Sequence, residues 1–178
     1  MSRRTDLSVI VKAINFAAFK HRNQRRKDAD ASPYINHPIA LANLLCNEAG
    51  IADAATLCAA LLHDTIEDTE TTADELAREF GKAIAPVVME VTDDKGLPNA
   101  ERKRLQIVRA RSASRRARLV KLADKTCNLR DITANPPATW TLRRKRKYFD
   151  WAKKVVDGLR GTHRRLERLF DEVYARRP

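Results

Sequence analysis

Apolar residues along this chain recur at intervals of three and four, and no stretch shows the alternation of a half-buried strand. The pattern predicts an all-α fold. Leu7, Ile10, Val11, Ile14, Ala17 and Ala18 form a stripe on a first helix from about Asp6 to His21, and this stripe is expected to face the core. The polar segment Arg22 to Asn36 follows as a loop. Pro38 suits the first turn of a second helix ending near Gly50, and Asp53 is placed to cap a third, predicted over residues 54–68. Thr72 with Glu75 reads as a capping box for a short helix stopped by Gly81. A further helix then reaches about Val91, with Pro86 near its start.

Asp93 to Pro98 is predicted as a loop, and Asn99 as the cap of a basic helix from Ala100 to Arg111 that Ser112 to Ser114 interrupt. The next helix runs from about Arg116 to Ile132 and ends before Asn135-Pro136-Pro137. Two more, from about Thr139 to Leu159 and from about Thr162 to Ala175, are separated by Gly158 and Gly161. No internal repeat, low-complexity tract or long linker divides the sequence. A single helical domain over residues 1–178 is expected.

Composition adds a charge argument. With 35 Lys plus Arg against 23 Asp plus Glu, the net charge is +12 and the pI about 10.1. Such a balance favours polyanionic partners: nucleic acid, an anionic membrane or a highly phosphorylated small molecule. Lys12 breaks the first apolar run too early for a signal peptide or membrane span, so no membrane partner is expected. The basic tracts Arg102 to Arg104, Arg115-Arg116 and Arg143 to Lys147 leave an RNA-binding helical module as an alternative, but they interleave few aromatics for base stacking. No specific nucleic-acid partner is expected. Cys46, Cys58 and Cys127 are odd in number and far apart, which argues against a disulfide framework and for a reduced cytoplasmic setting. The sequence sets no oligomeric state.

The chemistry centres on His63-Asp64-Thr65-Ile66-Glu67-Asp68. On a continuous helix Glu67 would lie one turn beyond His63 and Asp68 one turn beyond Asp64, crowding a histidine and three carboxylates at one end. The competing reading is a solvated polar helix terminus. Asp124 sits beside the apolar stripe of its own helix, where an unpaired carboxylate is costly to desolvate, so it calls for a partner. That partner is either an ion-paired Lys121, Lys125 or arginine, or a metal. With His37 at a helix entrance, His63, Asp64 and Asp124 make a mixed nitrogen and oxygen set suited to six-coordinate manganese or iron.

The order His37, His63-Asp64, Asp124 on a helical chain resembles the HD phosphohydrolase superfamily. Arg26-Lys27-Asp28, Tyr34 to Pro38, His63 to Asp68 and Lys121 to Asp131 resemble more narrowly the hydrolase domain of the RelA/SpoT alarmone enzymes, and most nearly the small stand-alone alarmone hydrolases. The resemblance implies Mn²⁺-dependent removal of the 3′-pyrophosphate from guanosine tetra- or pentaphosphate, yielding GDP or GTP, with Fe²⁺ or another divalent ion as the alternative cofactor. A different phosphorylated nucleotide is the alternative substrate.

By position, Glu67 and Asp68 match the family's catalytic acidic pair. The resemblance places Arg26 over the guanine with Lys27 and Tyr34 at the same mouth, and Asn128 at the nucleoside or ribose. Arg144 and Tyr148, one turn apart, could together hold the 5′-phosphates. The competing readings are a solvated loop for Arg26 and Lys27, an exposed helix residue for Asn128, and a plain basic face for Arg144. Asn99 departs from relatives that carry lysine after Leu-Pro, with Arg102 and Lys103 near enough in sequence to substitute. His21 and His163 match no ligand position and read as surface or helix-end residues.

Overall fold

Helical spacing becomes helices almost everywhere it occurs. The computed structural model describes residues 3–178, and the helices are α1 (Arg3–Lys20), α2 (Asn36–Asn43), α3 (Ala54–Leu62), α4 (Thr65–Asp68), α5 (Ala73–Val91), α6 (Asn99–Arg109), α7 (Arg115–Ala134), α8 (Leu142–Asp157) and α9 (Arg164–Tyr174). Among the described residues the only strand-like pairing is one isolated bridge, Arg25 to Pro33, inside the loop after α1. A π-turn over Leu44–Glu48 extends α2, with the Ala49 N–H reaching the Leu44 carbonyl at 2.8 Å.

The core is built around α3, where every side chain from Thr56 to Leu62 is buried. A helix apolar on all sides has to be surrounded, and α3 is packed by α1, α2, α5 and α7. The second organising helix, α7, also meets α2, α5, α8 and α9. Three caps fix these starts: Asp53 accepts from the Thr56 N–H, Thr72 from that of Glu75 and Ser114 from that of Ala117. Gly81, at φ 69°, kinks α5 where a helix stop was expected, and Pro86 follows just beyond that break.

Several sequence expectations require correction. The third helix does not run unbroken to residue 68: it ends at Leu62, with Asp64 at φ −99° and ψ −2° before α4 begins. The Thr65 hydroxyl donates to the Leu62 carbonyl at 2.7 Å, occupying a group that a continuing helix would use. Glu67 and Asp68 therefore lie on their own short helix, not at the C-terminus of a long one. Asn99 is the first helical residue of α6, and Pro98 takes the cap position. Among the described side chains of α1 the fully buried ones are Ala13 and Ala17, while Leu7 and Val11 are 63% and 55% exposed and Ile14 is exposed as well. Apolar pattern alone could not show that α1 packs on α3 through its small residues.

Candidate active site

Three distant segments meet at the C-terminal end of α3. His37 comes from the first turn of α2, His63 from the residue closing α3, and Asp124 from the middle of α7; all three are buried. Their candidate donor atoms lie within 4.8 Å of one another. His37 Nε2 is 3.3 Å and His63 Nε2 3.9 Å from the same oxygen, Asp124 Oδ1. Asp64 joins from the side, its Oδ2 2.9 Å from His63 Nε2 but without the alignment of a hydrogen bond.

The arrangement wants a cation. His63 Nδ1 faces the Ala60 carbonyl at 2.8 Å, which favours a proton on that nitrogen and leaves Nε2 to look into the site. His63 Nε2 and His37 Nδ1 are both buried without a hydrogen-bond partner. Burial acts to lower the His63 pKa, but the Asp64 and Asp124 carboxylates outweigh it and push it up to about 9. Burial likewise acts to raise Asp124, yet Lys125 and the two histidines hold it well below the usual carboxylate range. His63 Nε2, orphaned, and His37 Nε2 converge on the Asp124 carboxylate with Asp64 alongside, a donor set that fits one divalent ion.

Glu67 and Asp68 stand beside this trio on α4. The Tyr34 hydroxyl lies between Asp64 Oδ2, at 2.6 Å, and Asp68 Oδ2, at 3.0 Å, tying the two carboxylates together. Lys95 pairs with Asp68, and the Gln24 amide donates to the Asp68 carbonyl. Glu67 accepts from Arg102 and from the Asp93 N–H, each at 3.3 Å. Burial, then the charges of Asp93 and Asp64, raises the Glu67 pKa. The site thus holds one carboxyl, Glu67, biased toward keeping a proton beside Asp64 and Asp124, which are biased toward charge.

An outer groove of about 770 Å³ and an inner chamber of about 240 Å³ meet at these residues. Arg26, Tyr34, Asn128 and Tyr148 line both, and Lys27 lines the outer groove. Arg26 lies over the Tyr34 ring at 5.8 Å and pairs with Asp131, so it is not the solvated loop residue of the competing reading. Asn128 donates to Asp124 Oδ1 at 2.6 Å, which makes it a partner of that carboxylate as well as a wall. Arg144 is exposed and stacks over Trp140 at 4.5 Å, outside the lining that Trp140 itself helps to form.

Sequence reasoning passed over several of these neighbours. His21 directly follows α1, a helix-end residue as expected, but it is buried at 2% exposure and so not a surface one: it stacks on Tyr34 at 4.8 Å and bonds Gln24, bracing the tyrosine that holds Asp64 and Asp68. His163 is a helix-end residue as expected, accepting from the Leu166 N–H at the start of α9. Lys125, by contrast, was among the partners the sequence offered for Asp124: it is buried, pairs with that carboxylate at 2.8 Å and lies over Trp151. Trp140, Tyr148 and Trp151 form a continuous aromatic row. Its signal was present: Tyr148 and Trp151 are three apart on α8, a spacing that puts them on one face.

A helical chain with His37, His63-Asp64 and Asp124 gathered on its inner helices defines an HD-domain protein. The HD domain family matches residues 13–148, and the chain belongs to it. Its relatives narrow the picture. The chain is 52% identical over 170 residues to the guanosine-3′,5′-bis(diphosphate) 3′-pyrophosphohydrolase MESH1 of Xenopus tropicalis, covering 96% of this chain and 95% of that protein. The Homo sapiens protein of the same name is 51% identical over 173 residues, covering 97% of each. A solved structure described as a metazoan ortholog of SpoT that hydrolyzes ppGpp superimposes with a TM-score of 0.92, at 50% identity over 95% of both chains.

Proposed function

We propose that this chain is a divalent-metal-dependent hydrolase that removes the 3′-pyrophosphate from guanosine tetra- and pentaphosphate, with manganese as its ion. The observation that carries the reading is the buried trio His37, His63 and Asp124, with orphaned histidine nitrogens, beside the paired acids Glu67 and Asp68. Relatives named for that activity match nearly the whole chain at about half identity, which supports the substrate class.

In this reading His37, His63, Asp64 and Asp124 hold the ion. When bound, it supplies Lewis acidity, lowering the pKa of water and offsetting charge on the attacked phosphoryl group. The protein's own groups do the rest. Tyr34 fixes Asp64 and Asp68 in register through its two hydroxyl contacts. Asp68, paired with Lys95, orients the attacking water and takes its proton. Glu67, whose raised pKa suits it to carry a proton, passes one to the ribose 3′-oxygen as its bond to the attacked phosphorus breaks and pyrophosphate is released. Arg26 and Lys27 receive the guanine at the mouth, Asn128 the nucleoside, and Arg144 with Tyr148 the 5′-phosphates.

The test is product analysis on purified, manganese-loaded protein with a nucleotide panel. GDP and pyrophosphate from the tetraphosphate, lost on chelation and restored by manganese, is the expected result. Hydrolysis indifferent to the 3′-pyrophosphate would instead select a hydrolase of another phosphorylated nucleotide.

A further inference from the structure

Four cations line the inner chamber: Arg26, Arg102, Lys103 and Lys125. Three have carboxylate partners, Arg26 in Asp131, Arg102 in Glu67 and Lys125 in Asp124. Among the described residues Lys103 is the chamber cation with no ion-pair partner and no side-chain hydrogen bond. It is nevertheless held in place. Its ammonium lies 5.0 Å from the Trp151 ring centroid and 5.7 Å from that of Tyr148, and its backbone carbonyl accepts from Trp151 Nε1 at 3.1 Å.

A half-buried cation without a counter-ion is a standing cost, and its neighbours add to it. Burial, then the charges of Lys125 and Arg144, lowers the Lys103 pKa. Aromatic faces offset part of that cost without neutralising the charge. The arrangement is one that an incoming anion relieves. Direction decides which anion: Arg102 turns toward Glu67 and the reacting end, whereas Lys103 turns toward Tyr148 and Trp151 on α8, the helix that also carries Arg144. Asn99, in the same chamber wall, brings no charge of its own.

We propose that Lys103 is the anchor for the 5′-phosphates of the nucleotide, closing with Arg144 around Tyr148 and making the site selective for substrates phosphorylated at both ends. The assignment rests on the 3′-pyrophosphohydrolase reading given above. Lys103 is a specificity residue in this scheme, with no part in bond cleavage itself.

The experiment compares two substrates, guanosine carrying diphosphates at both 3′ and 5′ positions and guanosine 3′-diphosphate with a free 5′-hydroxyl. Lys103→Met is expected to reduce kcat/KM for the first by about 10- to 100-fold, mainly through KM, the loss typical of one charge-assisted hydrogen bond. For the second it should change kcat/KM by no more than about twofold, and Lys103→Arg should recover most of the loss on the first. Lys103→Gln, measured on the same pair, carries the test if the Met variant melts lower than wild type. Equal losses on both substrates, or none on either, with an active wild type, overturn the anchor alone. A wild type that releases pyrophosphate from neither substrate overturns the hydrolase reading and the anchor with it.

Discussion

Two cavities of similar size open at opposite ends of α3, the outer groove of about 770 Å³ by His37 and another of about 790 Å³ at Asp53. In the second, every carboxylate is taken by a neighbour. Asp53 caps α3 and receives Arg116 through Nε at 2.8 Å and Nη2 at 3.1 Å, and Glu90 receives both the N–H and hydroxyl of Ser114 at 2.6 Å. The first meets the inner chamber, and where they meet His37 Nδ1 and His63 Nε2 are buried without partners while Lys103, in the chamber wall, is a cation without a counter-ion. Volume does not distinguish them. What distinguishes them is polar groups that the fold has oriented but not satisfied, which marks the groove as a place for ligands and its counterpart as a closed structural joint.

The contrast can be broken most forcefully at its centre. Asp124→Ala is expected to abolish manganese retention and hydrolysis together, about a 10³- to 10⁵-fold loss, measured by elemental analysis beside a pyrophosphate-release assay. Undiminished turnover would show that the ion sits elsewhere. Glu67→Gln should keep the metal but lower kcat by about 10²- to 10⁴-fold, separating ion binding from proton transfer. Tyr34→Phe leaves the stack on His21 and removes only the hydroxyl shared by Asp64 and Asp68, so a drop of about 10- to 100-fold in activity with an unchanged melting temperature is expected.

The smallest effect belongs to the other cavity. Asp53→Ala should leave kcat/KM unchanged while costing about 1 kcal/mol of stability through the lost cap. Its pH dependence has a definite sign. The Arg116 hydrogen bonds, against some burial, lower the Asp53 pKa below its ordinary value, so its contribution is complete above about pH 4 and fades as pH falls through the lowered folded value. Melting curves of wild type and variant should therefore stand apart at pH 7 and converge in acid. A gap that widens in acid would contradict the assigned partners.

Much of this organisation is legible in the sequence, because helix period and caps are local properties. Asp53 and Thr72 announced their helices, and Asp124 announced itself as a carboxylate on an apolar helix that had to meet something. The two readings of Asp124 turned out to be compatible, since it faces His37 and His63 while Lys125 pairs with its other oxygen. What escaped were effects of distant pairing. Arg26 meets Asp131 across most of the chain, and His21 is buried with the Tyr34 ring stacked on it. The break at Asp64 escaped for another reason: one threonine hydroxyl, energetically a small matter, outcompeted a helical pattern that the local sequence still satisfied.

Because His37, His63 and Asp124 belong to α2, the end of α3 and α7, the donor trio cannot exist until those helices have docked on one another. Individual helices form within microseconds, whereas contacts between remote segments wait on chain closure. Recovery of metal affinity during refolding therefore clocks the slow, long-range step and is blind to the fast local ones. The same linkage runs backward: an ion gripped by three helices adds to their cohesion by mass action, so chelation should loosen the α2–α3–α7 junction first.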